Sequence, residues 1–109
     1  MEISQLADNY SVSSQISPDD VADLASAGYS AVICNRPDDE DAGQPSAESI
    51  AAACEQYGLE FHHLPVAGMP VAEEIIDNQK TIIRSANGKV LGYCRSGQRS
   101  AYIHGMGAG

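Results

Sequence analysis

Apolar positions along the chain follow two alternating rhythms. Three short stretches, YSAVICN (29–35), LEFHHLPV (59–66) and KVLGYC (89–94), have the length of strands, and YSVSSQ (10–15), which alternates only weakly, is a candidate for a short first one. Longer amphipathic stretches lie between them. SPDDVADLASAG (17–28) predicts a helix capped by Ser17, with Pro18 first and Asp19 and Asp20 at the positive end of its dipole. Val21, Leu24 and Ala25 share its apolar face, and Gly28 closes it. PSAESIAAACEQYG (45–58) repeats the same grammar: Ser46 caps, Ile50, Cys54 and Tyr57 lie together, and Gly58 ends the turn. MPVAEEIIDNQKTIIRSANG (69–88) predicts the longest helix, with Val71, Ile75, Ile82 and Ile83 on a stripe and Asn87-Gly88 as the stop. RSAYIHGMGAG (99–109) begins as a helix, weakened by Gly105, Gly107 and Gly109.

Strands alternating with helices imply an α/β fold: a central parallel sheet of four or five strands flanked by helices, joined by right-handed crossovers. A chain of 109 residues has room for one core, so residues 1–109 are expected to form a single domain.

Charge narrows the partners. Fifteen acidic residues against 6 Lys and Arg give a net charge of −9, which disfavours nucleic acid and anionic membrane surfaces. The partner expected is a small anionic substrate held by a local positive site. No apolar run approaches the ~18 residues of a membrane span. The start, MEISQLADNY, lacks the basic and apolar segments of a secretory signal, so the expected location is cytoplasmic. Cys34, Cys54 and Cys94 form no CxxC pair and an odd count, which argues against a disulfide framework. His62, His63 and His104 show no metal-ligand spacing with these cysteines, so neither a metal nor a cofactor is expected. The sequence does not fix an oligomeric state.

One stretch carries chemistry. In YCRSGQRSAY (93–102) a cysteine follows an apolar strand and precedes a helix, with a glycine three residues on and an arginine five on. At the carboxyl end of a parallel strand, the backbone N–H groups of Arg95, Ser96, Gly97, Gln98 and Arg99 can turn inward around an anion. Gly97 permits the left-handed backbone such a ring needs. The helix beginning near Ser100 adds its positive end, and Arg99 can fork two donors onto an oxyanion. The same surroundings lower a cysteine's pKa and make its thiolate a nucleophile.

CRSGQRS resembles the active-site loop of the cysteine phosphatase and rhodanese families. QISPDDVADLASAGYSAVICNRPDDEDAGQPSAESI is more specific: it resembles the phosphatase-like domain of bacterial beta-lactamase-hydrolase-like proteins, a likeness covering roughly residues 10–103. That family is assigned both phosphatase and sulfur-transferase roles. The resemblance implies a cysteine-phosphatase-like fold of the dual-specificity type, with Cys94 as nucleophile and Arg99 as the anion-binding arginine. Only Arg95, Ser96, Gly97 and Gln98 separate the two, a ring one residue smaller than in tyrosine phosphatases and like that of rhodaneses. The expected activity is therefore a cysteine-based sulfurtransferase carrying a persulfide on Cys94. A phosphatase working through phosphocysteine is the alternative, and a non-catalytic anion-binding or interaction module is the third reading. The ending HGMGAG is expected to cut short the helix that backs the loop.

A second loop, NRPDDEDAGQPS (35–46), opens on the same sheet edge. Arg36 is a candidate for recruiting an anionic substrate, and Asp38 for the general acid of a phosphatase. Ser96 and Ser100 are expected to shape the loop, with the Ser100 hydroxyl placed to steady the thiolate. Arg95 is expected to point outward, and Cys34 and Cys54 to be core residues.

Overall fold

The computed structural model describes residues 2–108. The elements are β1 (Ile3–Ala7), β2 (Tyr10–Ser13), α1 (Asp20–Ser26), β3 (Tyr29–Cys34), α2 (Ala47–Tyr57), β4 (Glu60–His63), α3 (Glu73–Ser85), β5 (Lys89–Tyr93) and α4 (Gln98–Ala108). The five strands form one sheet in the order β1-β2-β5-β3-β4. From β2 to β4 all neighbours are parallel, as the alternation of elements implies. β1 pairs antiparallel with β2. The sequence reading has no strand there, because Ile3–Leu6 are exposed on both faces and show no period.

Both faces of the sheet are covered. Val32, Cys34, Leu91 and Tyr93 meet Val21 and Leu24 of α1 and Ile50, Ala53 and Cys54 of α2. On the opposite face Tyr10, Val12, Ala31, Ile33 and Val90 meet Ile82 and Ile83 of α3 and Ala101 of α4. β5 lies centrally, and Val90 to Tyr93 are all buried. Such a strand is apolar on both faces, as KVLGYC is.

Helix ends differ from the sequence reading for local reasons. Ser46 caps α2 by accepting the Ser49 N–H at 3.1 Å, and Gly58 closes it with φ 78°. Ser17 does not cap α1: its own N–H donates to the Asp20 carboxylate, and the helix starts at Asp20. Residues 69–72 stay outside α3, since Pro70 disfavours helix in the residue before it and Val71 packs with Val66 and Ile103. The far end of α3 is Ser85, with Ala86 already extended. α4 continues through Gly105 and Gly107 to Ala108, further than its glycines imply, and Gly109 lies outside the described residues.

Leu59–Val66 runs beyond β4 into an extended segment. Its backbone is held by the bonds Leu64 N–H to Cys34 O and Val66 N–H to Asn35 O. This fixes Val66 beside the carboxyl ends of β3 and β5. Replacing Ser46 by Ala leaves a first-turn N–H of α2 unpaired. Urea unfolding should show a loss of about 1 kcal/mol, which Ser46→Asp restores.

Candidate active site

The strand order brings three loops to one edge. β5 lies between β2 and β3, so the segments after Ser13, Cys34 and Tyr93 leave the sheet side by side. They are tied together: the Asn35 N–H donates to Tyr93 O at 2.9 Å, and the Gln15 N–H to Arg95 O at 3.4 Å.

Cys94 is the first residue after β5 and is fully buried. The chain after it bends back on the sulfur. The Gly97 N–H donates to Cys94 Sγ at 3.1 Å. Gly97 has φ +93°, and a Cβ there would press on the Ser13 backbone at 3.3 Å, so no other residue fits without strain. Burial pushes the Cys94 thiol up, but the backbone N–H groups of Ser100, Ser96, Arg99 and Gly97 outweigh it and hold the thiol below its ordinary value. The sulfur is therefore buried among donors, unlike the other two cysteines. Burial pushes Cys54 up to about 11. Burial also raises Cys34, whose thiol donates to Arg36 O.

Arg99, in the first turn of α4, turns its guanidinium across the edge. It donates to both Glu40 oxygens at 2.8 and 2.9 Å and to Val66 O at 2.7 Å. Glu40 beside it, and the Cys94 sulfur beyond, strengthen its positive charge. Glu40 in turn is held below the usual carboxylate range, chiefly by Arg99 and then by Arg36. The sequence reading missed Glu40, one carboxylate in the acidic run DDED.

Arg36 is almost completely buried and spends its donors on its own neighbours: Nε on Glu40, one terminal nitrogen on Asp41 and the other on Gln15. Arg95 is mostly exposed and pairs with Asp41 at 3.3 Å. Two adjacent carboxylates thus engage all three arginines of this edge. Asp38 accepts the Ala47 N–H at 2.8 Å, at the start of α2. The Ser100 hydroxyl is not on the Cys94 sulfur: it donates to Asn35 Oδ1 at 2.8 Å, and it is the Ser100 backbone N–H that lowers the thiol's pKa. Ser96 Oγ accepts the Gln98 N–H at 3.3 Å and shapes the turn. Ser96, Gly97 and Gln98 also line a cleft of about 320 Å³ against Ser4 and Leu6 of β1.

His63 meets the Arg36 carbonyl at 3.0 Å, His62 lies 4.0 Å from Glu60, and His104 stacks on Tyr10. Among the described residues no group of His, Cys, Asp and Glu could hold a metal ion, and no helix is long and apolar enough to cross a membrane.

Over residues 2–109 the sequence matches the family described as beta-lactamase hydrolase-like protein, phosphatase-like domain. A beta-lactamase hydrolase-like protein of Xylella fastidiosa is 30% identical over 106 residues, 97% of this chain. The chain spans only 25% of that relative's length. A candidate phosphatase of Neisseria meningitidis, known from its crystal structure, is 33% identical. It superposes with a TM-score of 0.83, covering 93% of this chain and 72% of its own. Kinase associated phosphatase, solved with its catalytic-site cysteine changed to serine, shares the fold at 18% identity and a TM-score of 0.67. That match covers 86% of this chain and 61% of the other. The fold is that of the cysteine phosphatases.

The converging amides predict a thiol that ionises early. The far-ultraviolet absorbance of the thiolate, taken as the difference from Cys94→Ser, should rise with a midpoint below ~8.5, the value of a free cysteine. The depressed pKa also has a sign in folding. Stability gained from the Cys94 thiolate is fully present above the unfolded thiol's pKa and is lost as pH falls through the lower folded value.

Proposed function

Because the chain belongs to the family of beta-lactamase hydrolase-like phosphatase-like domains, we propose that it is a cysteine-dependent phosphatase acting on a small phosphomonoester. The observation carrying this reading is the set of backbone N–H groups around the Cys94 sulfur, with the Arg99 guanidinium beside it. Amides and guanidinium can receive the oxygens of a phosphoryl group where negative charge develops in the transition state. The Cys94 thiolate attacks phosphorus, an S–P bond forms, and the P–O bond to the leaving group breaks. A protonated carboxyl group gives its proton to the leaving oxygen. Water then hydrolyses the phosphocysteine, releasing phosphate and returning the thiolate.

In the present arrangement the Arg99 fork holds Glu40. A phosphoryl dianion, carrying more charge than one carboxylate, displaces it, and the residue 36–44 loop swings outward. Asp38 must leave its bond to Ala47 before it can serve as the acid. Arg36, buried beneath Glu40, becomes available to the same anion once the loop opens.

Sulfur transfer is the second reading, favoured by the ring of only four residues between Cys94 and Arg99. There the thiolate takes the outer sulfur of a sulfane donor as a persulfide, expels the rest of the donor as an anion, and passes the sulfur to an acceptor thiol.

Hydrolysis of an aryl phosphate should fall at least about a thousandfold in Cys94→Ser and about a hundredfold in Arg99→Lys. Asp38→Asn should lower kcat most for poor leaving groups. Glu40→Gln should lower KM several-fold by freeing Arg99, whereas a raised KM would make Glu40 a brace for that arginine. A Cys94 peptide heavier by one sulfur after thiosulfate, without phosphate release from the aryl ester, would transfer the assignment to the second reading.

A further inference from the structure

Four buried polar side chains lie beneath the cysteine loop without any task in the reaction above. They close a ring of hydrogen bonds. The Tyr10 hydroxyl donates to Ser100 O at 3.2 Å, and Gln79 Nε2 donates to the Tyr10 oxygen at 3.0 Å. Asn35 Nδ2 donates to Gln79 Oε1 at 3.0 Å, and Ser100 Oγ donates to Asn35 Oδ1 at 2.8 Å. The members come from β2, α3, the end of β3 and the first turn of α4. Each is at most 1% exposed.

Such a ring is an expensive way to fill a core. Every polar group taken from water must find a partner, and apolar side chains of similar volume would fill the space at no such cost. Here the satisfaction is complete: among the described residues no buried side-chain N or O lacks a hydrogen bond. The sequence also makes room for it. Gly92, in the middle of central strand β5, faces the Tyr10 hydroxyl, and a methyl group there would overlap it. A glycine inside a strand marks this kind of close approach. The His104 ring stacks on Tyr10 from α4 at 4.8 Å.

The ring converges on one residue. Ser100 is held through its carbonyl by Tyr10 and through its hydroxyl by Asn35. Its remaining polar group, the backbone N–H, is among the four that lower the Cys94 thiol's pKa, next to the direct bond from the Gly97 N–H to the sulfur at 3.1 Å. Asn35 is itself anchored by Leu64 O, Tyr93 O and the Val66 N–H. We propose that Tyr10, Gln79 and Asn35 are positioning residues that fix the Ser100 backbone, and with it the amide-lined loop, around Cys94. The titratable groups whose charge is coupled to the sulfur are Tyr10 from β2 and Arg99 from α4. Burial keeps Tyr10 neutral, so it acts as a hydrogen-bonding strut and adds no charge.

This rests on Cys94 acting as a thiolate, and its test reads ionisation directly, whichever group is transferred. The thiolate absorbance of the full chain is titrated in Tyr10→Phe and Gln79→Met, each minus its Cys94→Ser counterpart. Ile50→Val, a core change on the opposite face of the sheet, serves as control. Circular dichroism establishes that each variant is folded. The expected result is a raised midpoint in both ring variants, with the thiolate fraction at neutral pH reduced about three- to tenfold, and no shift in the control. If the wild-type midpoint is low and the folded ring variants share it, the positioning role is overturned while the nucleophile stands. A wild-type midpoint at the ordinary thiol value overturns both.

Discussion

A buried sulfur whose thiol is held below its ordinary pKa by backbone amides is the constraint around which this edge of the sheet is arranged. Burial alone disfavours the thiolate, as it does at Cys54 and Cys34. At Cys94 the backbone amides of residues 96, 97, 99 and 100 reverse the outcome, and the Gly97 N–H donates to the sulfur at 3.1 Å. Those amides point inward because the segment turns at Gly97 with φ +93° and enters α4 immediately. Everything upstream serves that turn. β5 delivers Cys94 to the sheet edge, Gln15 and Asn35 hold the flanking backbone, and Ser13 lies tight against Gly97.

The second theme is charge balance. A chain of net charge −9 places three of its 6 Lys and Arg residues at this one edge and then covers them with its own acids. Glu40 joins Arg36 to Arg99, and Asp41 joins Arg36 to Arg95. Without these pairs, Arg36 would be a buried charge with only Gln15 for compensation, a costly state. The acids thus stabilise this edge, with both Glu40 oxygens accepting from the Arg99 fork.

Much of this was legible in the sequence because the signals were local. Ser46 and Gly58 mark the ends of α2 through bonds to residues three or four away. An apolar run followed by Cys94 and Gly97 places a cysteine at a strand's end. What was not legible depends on pairs far apart in the chain. The Tyr10–Ser100 bond spans 90 positions and exists only because β5 lies next to β2. Gln79 did leave a trace: it is a polar residue on the apolar stripe between Ile75 and Ile82, and Gly92 is an unexplained glycine in a strand. Glu40 left none, since nothing in DDED distinguishes one acid from the next. β1 escaped notice because hydrogen bonding to β2 holds it with little burial.

The strand order also dictates when the chemistry can appear. β2 and β3 are not neighbours, and the place between them is filled by β5, which follows both of them, β4 and α3 in the chain. A growing chain therefore carries a gap through the centre of its sheet until β5 has been made, and its first strands wait with unpaired edges. Closing that gap is one event with assembling the anion loop, since Cys94 follows β5 directly. Until β5 is in place Cys94 lacks the amides that lower its pKa, so an early-ionising thiol reports that the sheet has been completed.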